Sequence, residues 1–541
     1  MSTAKPNIVL VMTDQQRFDT IAALGNRHIR TPALDGLCRQ GATFTSAYTA
    51  SPVCVPSRIA MLTGQPPHVT GCVDNEGPKQ PVGRPSVMER LGDHGYACHG
   101  VGKMHFDGDG PPRLWGFDSR DVSEEDPGPH DDYAAYLKQH GYGHVVEPHG
   151  VRSEMYYVPQ PSQVPAELHH TRWVADRSLD FLAKRDRSKP FFLFSSFIKP
   201  HPPFESPAPW NQLYRCPAMP EPVVPDDAED YWTYWNRCQN RYKYCDAGRD
   251  RLLERTRKAA YYAAISFVDE AVGRILDGLG PDAENTLVVF TSDHGELMGD
   301  YGCVGKRSML DASARVPLIA RWPGRFVEGA RVETAVSLLS LFPTFLAAAG
   351  DVDPCVSPWG CDLTEVVRGR RPGPVFSQYQ RGRYALYMAT DGRAKWVRSA
   401  PDDRVWRLDC GQTDGMDRVA EPDSPVAEAA ESLGQALRTQ FVSDGYGHAV
   451  ENGRWVAYEP ATEPEPGDHG LLLQDSPQLS DALQTLGPGY KPDPAPQVDP
   501  YALLRTPEPF LRRTRPKIEA SADVPAPLRR GQSSNGITPL G

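Results

Sequence analysis

The residues with the strongest chemical character in this 541-residue chain are far apart in sequence. Cys54-Val55-Pro56-Ser57-Arg58 sets a thiol, a proline, a hydroxyl and a guanidinium within one short stretch, and Leu62-Thr63-Gly64 follows. Pro56 presets its own φ and biases Val55 toward extended geometry. Arg58 to Leu62 then reads as helix closing at Gly64, which places Cys54 at or near a helix N-terminus, where free N–H groups favour an anion. Asp14-Gln15 and Asp293-His294 offer two carboxylates, an amide oxygen and an imidazole, a plausible donor set for a divalent metal. Lys103 and His105 alternate on an extended segment and so can face the same side. His201 stands between prolines, and Lys306 follows a Gly-rich loop. Taken singly, each of these residues has an ordinary structural use, as a turn, a cap or a solvated charge; together they form a candidate site if the fold collects them.

The elements that would collect them are legible as apolar runs. Ile8 to Met12, Tyr96 to Val101, Phe191 to Ile198 and Thr286 to Thr291 read as strands buried on both faces of a parallel sheet. Each empties into one of the polar clusters: Asp14-Gln15, Lys103 with His105, His201, and Asp293-His294. In a mostly parallel sheet such strand ends share one edge, so residues distant in sequence can meet there. Helices are expected from Pro32, with Leu34, Leu37 and Cys38 inward and Gly41 ending it, and from the Ser86–Glu89 capping box. Glu167 to Leu182, the run through Tyr261, Ile265, Val268, Val272 and Ile275, and Ser337 to Ala349 also read as helices, with Val316 to Ala320 as a further strand. From Asp107 to about Pro165 no regular pattern is expected, and residues 205–250 read as an aromatic- and Pro-rich insertion whose rings mostly pack. Tyr384 to Met388, Lys395 to Arg398 and Val405 to Leu408 read as short antiparallel strands, with a hairpin signal at Asp391-Gly392. The expectation is an α/β fold with a large mixed, mostly parallel sheet flanked by helices in residues 1–375. A smaller antiparallel α+β subdomain in 376–458 and a Pro-rich arm or tail in 459–541 would follow.

Composition narrows the function classes. The net charge of −11 argues against a broad nucleic-acid-binding surface, so an anionic substrate would need a local cationic pocket. The 11 cysteines are scattered without a C-x-x-C pair, as expected of reduced thiols in a reducing compartment. The apolar run at Ile8 to Met12 is too short for a signal h-region or a membrane span, so a cytoplasmic location without membrane contact is expected.

The ordered set of motifs resembles the formylglycine-dependent sulfatases of the alkaline phosphatase superfamily. The resemblance rests on Asn7-Ile8-Val9 to Asp14, Cys54-x-Pro-Ser-Arg58 with Leu62-Thr63-Gly64, Gly102-Lys103-Met104-His105, His201, Ser292-Asp293-His294-Gly295, Lys306 and Arg315-Val316-Pro317-Leu318. It implies an alkaline phosphatase-like fold and hydrolysis of a small alkyl, aryl or sugar sulfate ester. It also implies oxidation of Cys54 to Cα-formylglycine by a maturation enzyme, and one divalent metal held by Asp14, Gln15, the modified Cys54, Asp293 and His294. The hydrated aldehyde would attack sulfur with one hydroxyl and expel sulfate with the help of the other. By the same resemblance Arg58 stabilises the diol, Lys103 binds sulfate oxygens, His105 takes a proton as the sulfated diol breaks down, and His201 and Lys306 bind sulfate and assist the leaving group. Two departures matter: Asp14-Gln15 stands where many sulfatases carry paired aspartates, and Asp293-His294 where many carry Asp-Asn. Fewer anionic ligands and an added nitrogen put Mn2+ and Mg2+ beside Ca2+ as candidates. Similar variations occur in choline sulfatases and phosphonate monoester hydrolases, and Arg454 to Glu459 resembles choline sulfatase tails. The alternative activity is therefore phosphonate monoester or phosphodiester hydrolysis with the same nucleophile, and a third reading is a non-catalytic metal-binding relative. The tail could reach a second copy in a homo-oligomer.

Overall fold

The computed structural model describes residues 5–77, 79, 83, 85–106, 113–152, 156–242, 250–351, 359–410, 415–461 and 485–487. Most of the expected C-terminal arm lies outside the described residues.

An eight-stranded sheet runs through the larger part of the chain in the order 330–332, 42–44, 318–321, 286–292, 7–14, 191–200, 97–102 and 119–122. The strand at 318–321 is antiparallel to both of its neighbours, and every other pairing is parallel. The four site-bearing strands are thus adjacent and co-directional, and their carboxyl ends form one edge. Alternation along Asn7–Asp14 shows why two helical layers are needed. Ile8, Leu10 and Met12 pack into one core with the helices Cys54–Thr63 and Leu341–Ala349, and Val9 and Val11 pack into another with Pro32–Gln40, His170–Lys184 and Arg251–Gly278. Leu34, Leu37 and Cys38 are the buried face of their helix as expected. Thr31, however, makes no side-chain cap; the carboxylate of Asp269 instead accepts the N–H groups of Ala33 and Leu34. The capping box at Ser86 and Glu89 is formed.

A second sheet is antiparallel, with strands Val375–Tyr379, Leu386–Thr390, Ala394–Ser399, Arg404–Cys410 and Asp417–Val419 paired in chain order. The helix Pro425–Ser443 covers one face through Leu433, Leu437 and Phe441 against Tyr387 and Trp396. The opposite face, through Leu386, Met388, Val397 and Leu408, packs on Tyr48, Tyr301 and Leu310 of the larger sheet's connections.

Three expectations need correction. The stretch expected to lack regularity holds a strand at Ser119–Val122 and a helix at Asp132–Gln139. The strand has an exposed outer edge and a polar sequence, so it carries no apolar run. The helix Pro425–Ser443 of the α+β subdomain was not placed in advance, because half of its buried face is alanine or glycine (Ala427, Ala430 and Gly434). Finally, the helix read from Arg58 begins at Cys54, with Val53 as the extended residue before it and Val55 helical. Proline in the first turn forfeits nothing, because N–H groups there have no intrahelical acceptor. Residues 205–242 are, as expected, largely packing: Tyr231, Tyr234 and Trp235 are buried and Trp210 stacks on Phe267.

Candidate active site

The site grows from the helix that starts at Cys54. Its first N–H groups need acceptors, and Asn75 Oδ1 takes the N–H of Val55 at 3.1 Å. Ser57 donates to the carbonyl of Asp293 at 2.7 Å, which pins the helix against the end of the strand Thr286–Ser292. Gly64 ends the helix in the left-handed region, φ 64°. All ten residues from Cys54 to Thr63 are buried, so the polar groups near Cys54 act on one another with little screening.

Cys54 Sγ lies 2.8 Å from Lys306 Nζ, 3.2 Å from His294 Nε2, 3.7 Å from Asp14 Oδ1 and 4.0 Å from Lys103 Nζ. Arg58, one helical turn on, donates from Nε to Asp293 Oδ2 at 2.9 Å and from Nη2 to Asp14 Oδ2 at 3.1 Å. Its remaining nitrogen donates to the carbonyl of Lys103 and to Ser196 Oγ, so one guanidinium joins four segments. Lys103 Nζ lies 2.5 Å from Asp14 Oδ2 and also pairs with Glu125. His105 and His201 join through that same carboxylate, their Nε2 atoms 3.7 and 3.6 Å from Glu125 Oε1. Every candidate named from the sequence therefore meets at one strand edge. His105 gets there differently from the expectation: its backbone is left-handed, φ 60°, not extended.

The donor set fits a divalent cation. Ligand atoms of Asp14, Cys54, Asp293 and His294 lie within 4.8 Å of one another. Gln15 Nε2 donates to Glu296 and to Tyr157, which turns Oε1 the other way, and Oε1 is buried with no hydrogen-bond partner. A buried acceptor without a hydrogen-bond partner, on the residue whose N–H donates to Asp293 Oδ1, suits a cation ligand. His294 Nδ1 faces the carbonyl of Gly295 at 3.0 Å, so Nδ1 carries the proton and the Nε2 lone pair faces the cluster.

The electrostatics separate the groups. Burial alone would raise the Asp14 carboxyl, but Lys103, Lys306 and Arg58 together hold it well below the usual carboxylate range. Burial and the charge of Asp14 push Asp293 up to about 6. Burial, with neighbouring cations, keeps His105, His201 and His294 well below the ordinary imidazole value, hence neutral. Burial and Asp14 raise the Cys54 thiol in spite of Lys103 and Lys306. The site therefore does not generate a thiolate, and an unmodified thiol is a poor nucleophile here.

Sequence reasoning missed Glu125, Tyr157, Glu296 and Ser196. Glu296 was in view beside Asp293-His294, and its link to the amide of Gln15 had no local signal. Glu125 lay in the stretch expected to be irregular.

The chain is similar to known proteins over most of its length. The model of a family described as Sulfatase matches residues 6–352. An arylsulfatase of Clostridium perfringens is 34% identical over 445 residues, covering 77% of this chain and 89% of its own. A choline-sulfatase of Rhizobium meliloti is 30% identical, covering 88% of this chain and 96% of its own. Among solved structures, the phosphonate monoester hydrolase of Agrobacterium radiobacter has the same fold, with a TM-score of 0.68 at 21% identity over 84% of this chain and all of that one.

Proposed function

The chain belongs to the sulfatase family, and from that membership we propose that it hydrolyses a small alkyl, aryl or sugar sulfate ester through an aldehyde made from Cys54. The supporting observation is the placement of Cys54 at a buried helix N-terminus, with Lys306 and His294 on its sulfur and Lys103 beyond. A bound divalent ion, held by Asp14, Gln15, Asp293 and His294, would supply Lewis acidity and lower the pKa of the nucleophilic hydroxyl.

The chain's own groups do the rest. Arg58 neutralises Asp14 and Asp293 and keeps their free oxygens in place. Lys103 and Lys306 flank position 54 and hold the sulfate oxygens. His201 Nδ1 faces the Pro202 carbonyl at 2.6 Å, so its proton sits there and Nε2 faces the substrate side. His105 receives the proton when the sulfated hydrate collapses back to the aldehyde. Burial of the site excludes bulk water and strengthens each of these interactions. We also retain 1–375 as the catalytic unit, 376–458 as the smaller subdomain and 459–541 as an arm. Maturation would come from a separate formylglycine-generating or equivalent enzyme. Among the described residues no helix is long and apolar enough to cross a membrane.

The test is peptide mass analysis across Cys54, followed by kcat/KM for a sulfate monoester and a phosphonate monoester with the same leaving group. The expected result is an aldehyde at position 54 and a preference for sulfate. A thiol retained in the active, host-made protein sinks the mechanism, and a preference for the phosphonate transfers the assignment to that ester class.

A further inference from the structure

Arg307 follows Lys306 directly, and its chemistry is not used by the reaction described above. Its backbone is left-handed, φ 63°, a conformation unfavourable for a bulky residue. Its N–H donates to the carbonyl of Pro52 at 3.0 Å, just before the Cys54 helix. The side chain crosses to the antiparallel sheet, where Nε donates to Tyr379 Oη at 3.0 Å. The residue is 9% exposed.

Many buried cations of this protein are matched by carboxylates, while Lys306 faces Cys54 and His294 instead. Arg58 has Asp14 and Asp293, Arg17 has Asp19 and Asp300, Lys199 has Glu205, and Lys395 has Asp311 and Asp417. Arg307 has no ion pair among the described residues. Its two terminal nitrogens have no hydrogen-bond partner there and keep solvent access, since neither is among the fully buried unsatisfied atoms. Burying an unpaired charge is costly, and a guanidinium with its Nε fixed presents the remaining edge as a planar fork that fits a carboxylate or sulfate. The preceding residue's Nζ lies 2.8 Å from Cys54 Sγ, and the Arg307 guanidinium is near enough to Cys54 to interact with it electrostatically, which sets the fork within reach of an ester bound there.

We propose that Arg307 determines specificity by binding a second anionic group, a carboxylate or another sulfate, carried on the alcohol part of the ester. This rests on the sulfate-ester reading above. The reacting sulfate already has Lys103 and Lys306, which leaves the Arg307 fork to a different group. Tyr379 orients the fork from the smaller subdomain, so that subdomain would take part in substrate choice.

The experiment uses the full chain confirmed to carry the aldehyde, with esters sulfated at the same ring position. These are a neutral hexose monosulfate, the matching hexuronate monosulfate, and the matching hexose disulfate. Wild type should favour at least one doubly anionic ester over the neutral one by about tenfold in kcat/KM, or about 1.4 kcal/mol. Arg307→Gln should bring that ratio within about threefold of unity, and Arg307→Lys should keep an intermediate ratio, since a point charge lacks the fork. Which ester carries the preference distinguishes carboxylate from sulfate. Equal losses on neutral and doubly anionic esters would mean that Arg307 serves the reacting sulfate, and would overturn the inference, as would a preference that survives Arg307→Gln. If Arg307→Gln fails to fold, Tyr379→Phe should still shift the ratio by about threefold or more, and an unmoved ratio is again decisive against it. Wild type that cleaves the neutral ester equally well overturns this inference alone; wild type that cleaves no ester removes the sulfatase reading with it.

Discussion

Glu125 is the residue whose role is least expected. Its carboxylate pairs with Lys103, lies near His105 and His201, and has Arg152 at 3.3 Å. It therefore sits among the cations proposed to receive sulfate, and an incoming anion must compete with it. Glu125→Gln keeps the shape and removes the charge. The expected outcome is tighter inhibition by inorganic sulfate, by about tenfold in the inhibition constant, roughly what one desolvated like-charge contact contributes. An unchanged constant would show that the carboxylate does not face the anion. The other strained residues of the site follow one pattern. Gln15, His105 and Arg307 all have positive φ, and each is held by contacts from several segments. Such conformations persist only where surrounding structure over-determines them.

At the scale of elements, the strand ends hold the site only if their connections stay in register. Gly102 closes the strand Ala97–Gly102 at φ 86°, and a Cβ there would stand 2.1 Å from the carbonyl oxygen of Ser196. That oxygen accepts the N–H of Lys103 at 3.2 Å. Gly102→Ala is expected to lose about 3 kcal/mol or more in denaturant unfolding and to reduce kcat through displacement of Lys103; a stability within 1 kcal/mol of wild type, on the order of typical substitutions, would contradict the packing. The loop carrying His201 depends on a buried ion cluster. Burial opposes the charge on Glu205, but Lys199 at 2.9 Å and His169 at 3.0 Å outweigh it and hold the carboxyl below its usual range. A depressed folded pKa means stability that is present above the unfolded value, about 4.3, and lost as pH falls toward the folded one. Glu205→Gln should flatten the acid limb of the stability–pH curve. It should also destabilise the protein at neutral pH by about 3–5 kcal/mol, because Lys199 is left buried without its partner. An acid limb as steep as that of wild type would place the acid-labile group elsewhere.

For the molecule as a whole, the two sheets meet at a second buried charge cluster. Lys395 of the antiparallel sheet contacts Asp311 at 2.6 Å and Asp417 at 2.7 Å, and all three are buried. Asp311 begins the short helix that follows the Lys306 loop. Lys395→Met should lower the melting temperature, with a cost of about 3–5 kcal/mol, and should lower kcat more than it changes metal affinity. A normal melt would show that the apolar contact between the sheets suffices. The amino-acid order pointed to the buried strands, their mostly parallel arrangement and, through the resemblance its motifs carry, the residues of the candidate site. It could do so because both-face burial requires unbroken apolar runs, and because chemistry concentrates at the ends of such runs. Their meeting at one edge was legible once the sheet was taken as parallel. Only the tertiary structure decided what surrounds them. The helix Pro425–Ser443 mixes small residues into its buried face, and the strand at Ser119–Val122 lacked an apolar pattern. Glu125, Glu296 and Tyr379 reach their partners across 22, 281 and 72 positions of chain. Long-range polar contacts leave no local periodicity, since a charge finds its partner through packing and not through spacing. The Cys54 stretch shows both sides: its residue types suggested the chemistry, but packing alone buried it and set Lys306 and His294 on its sulfur.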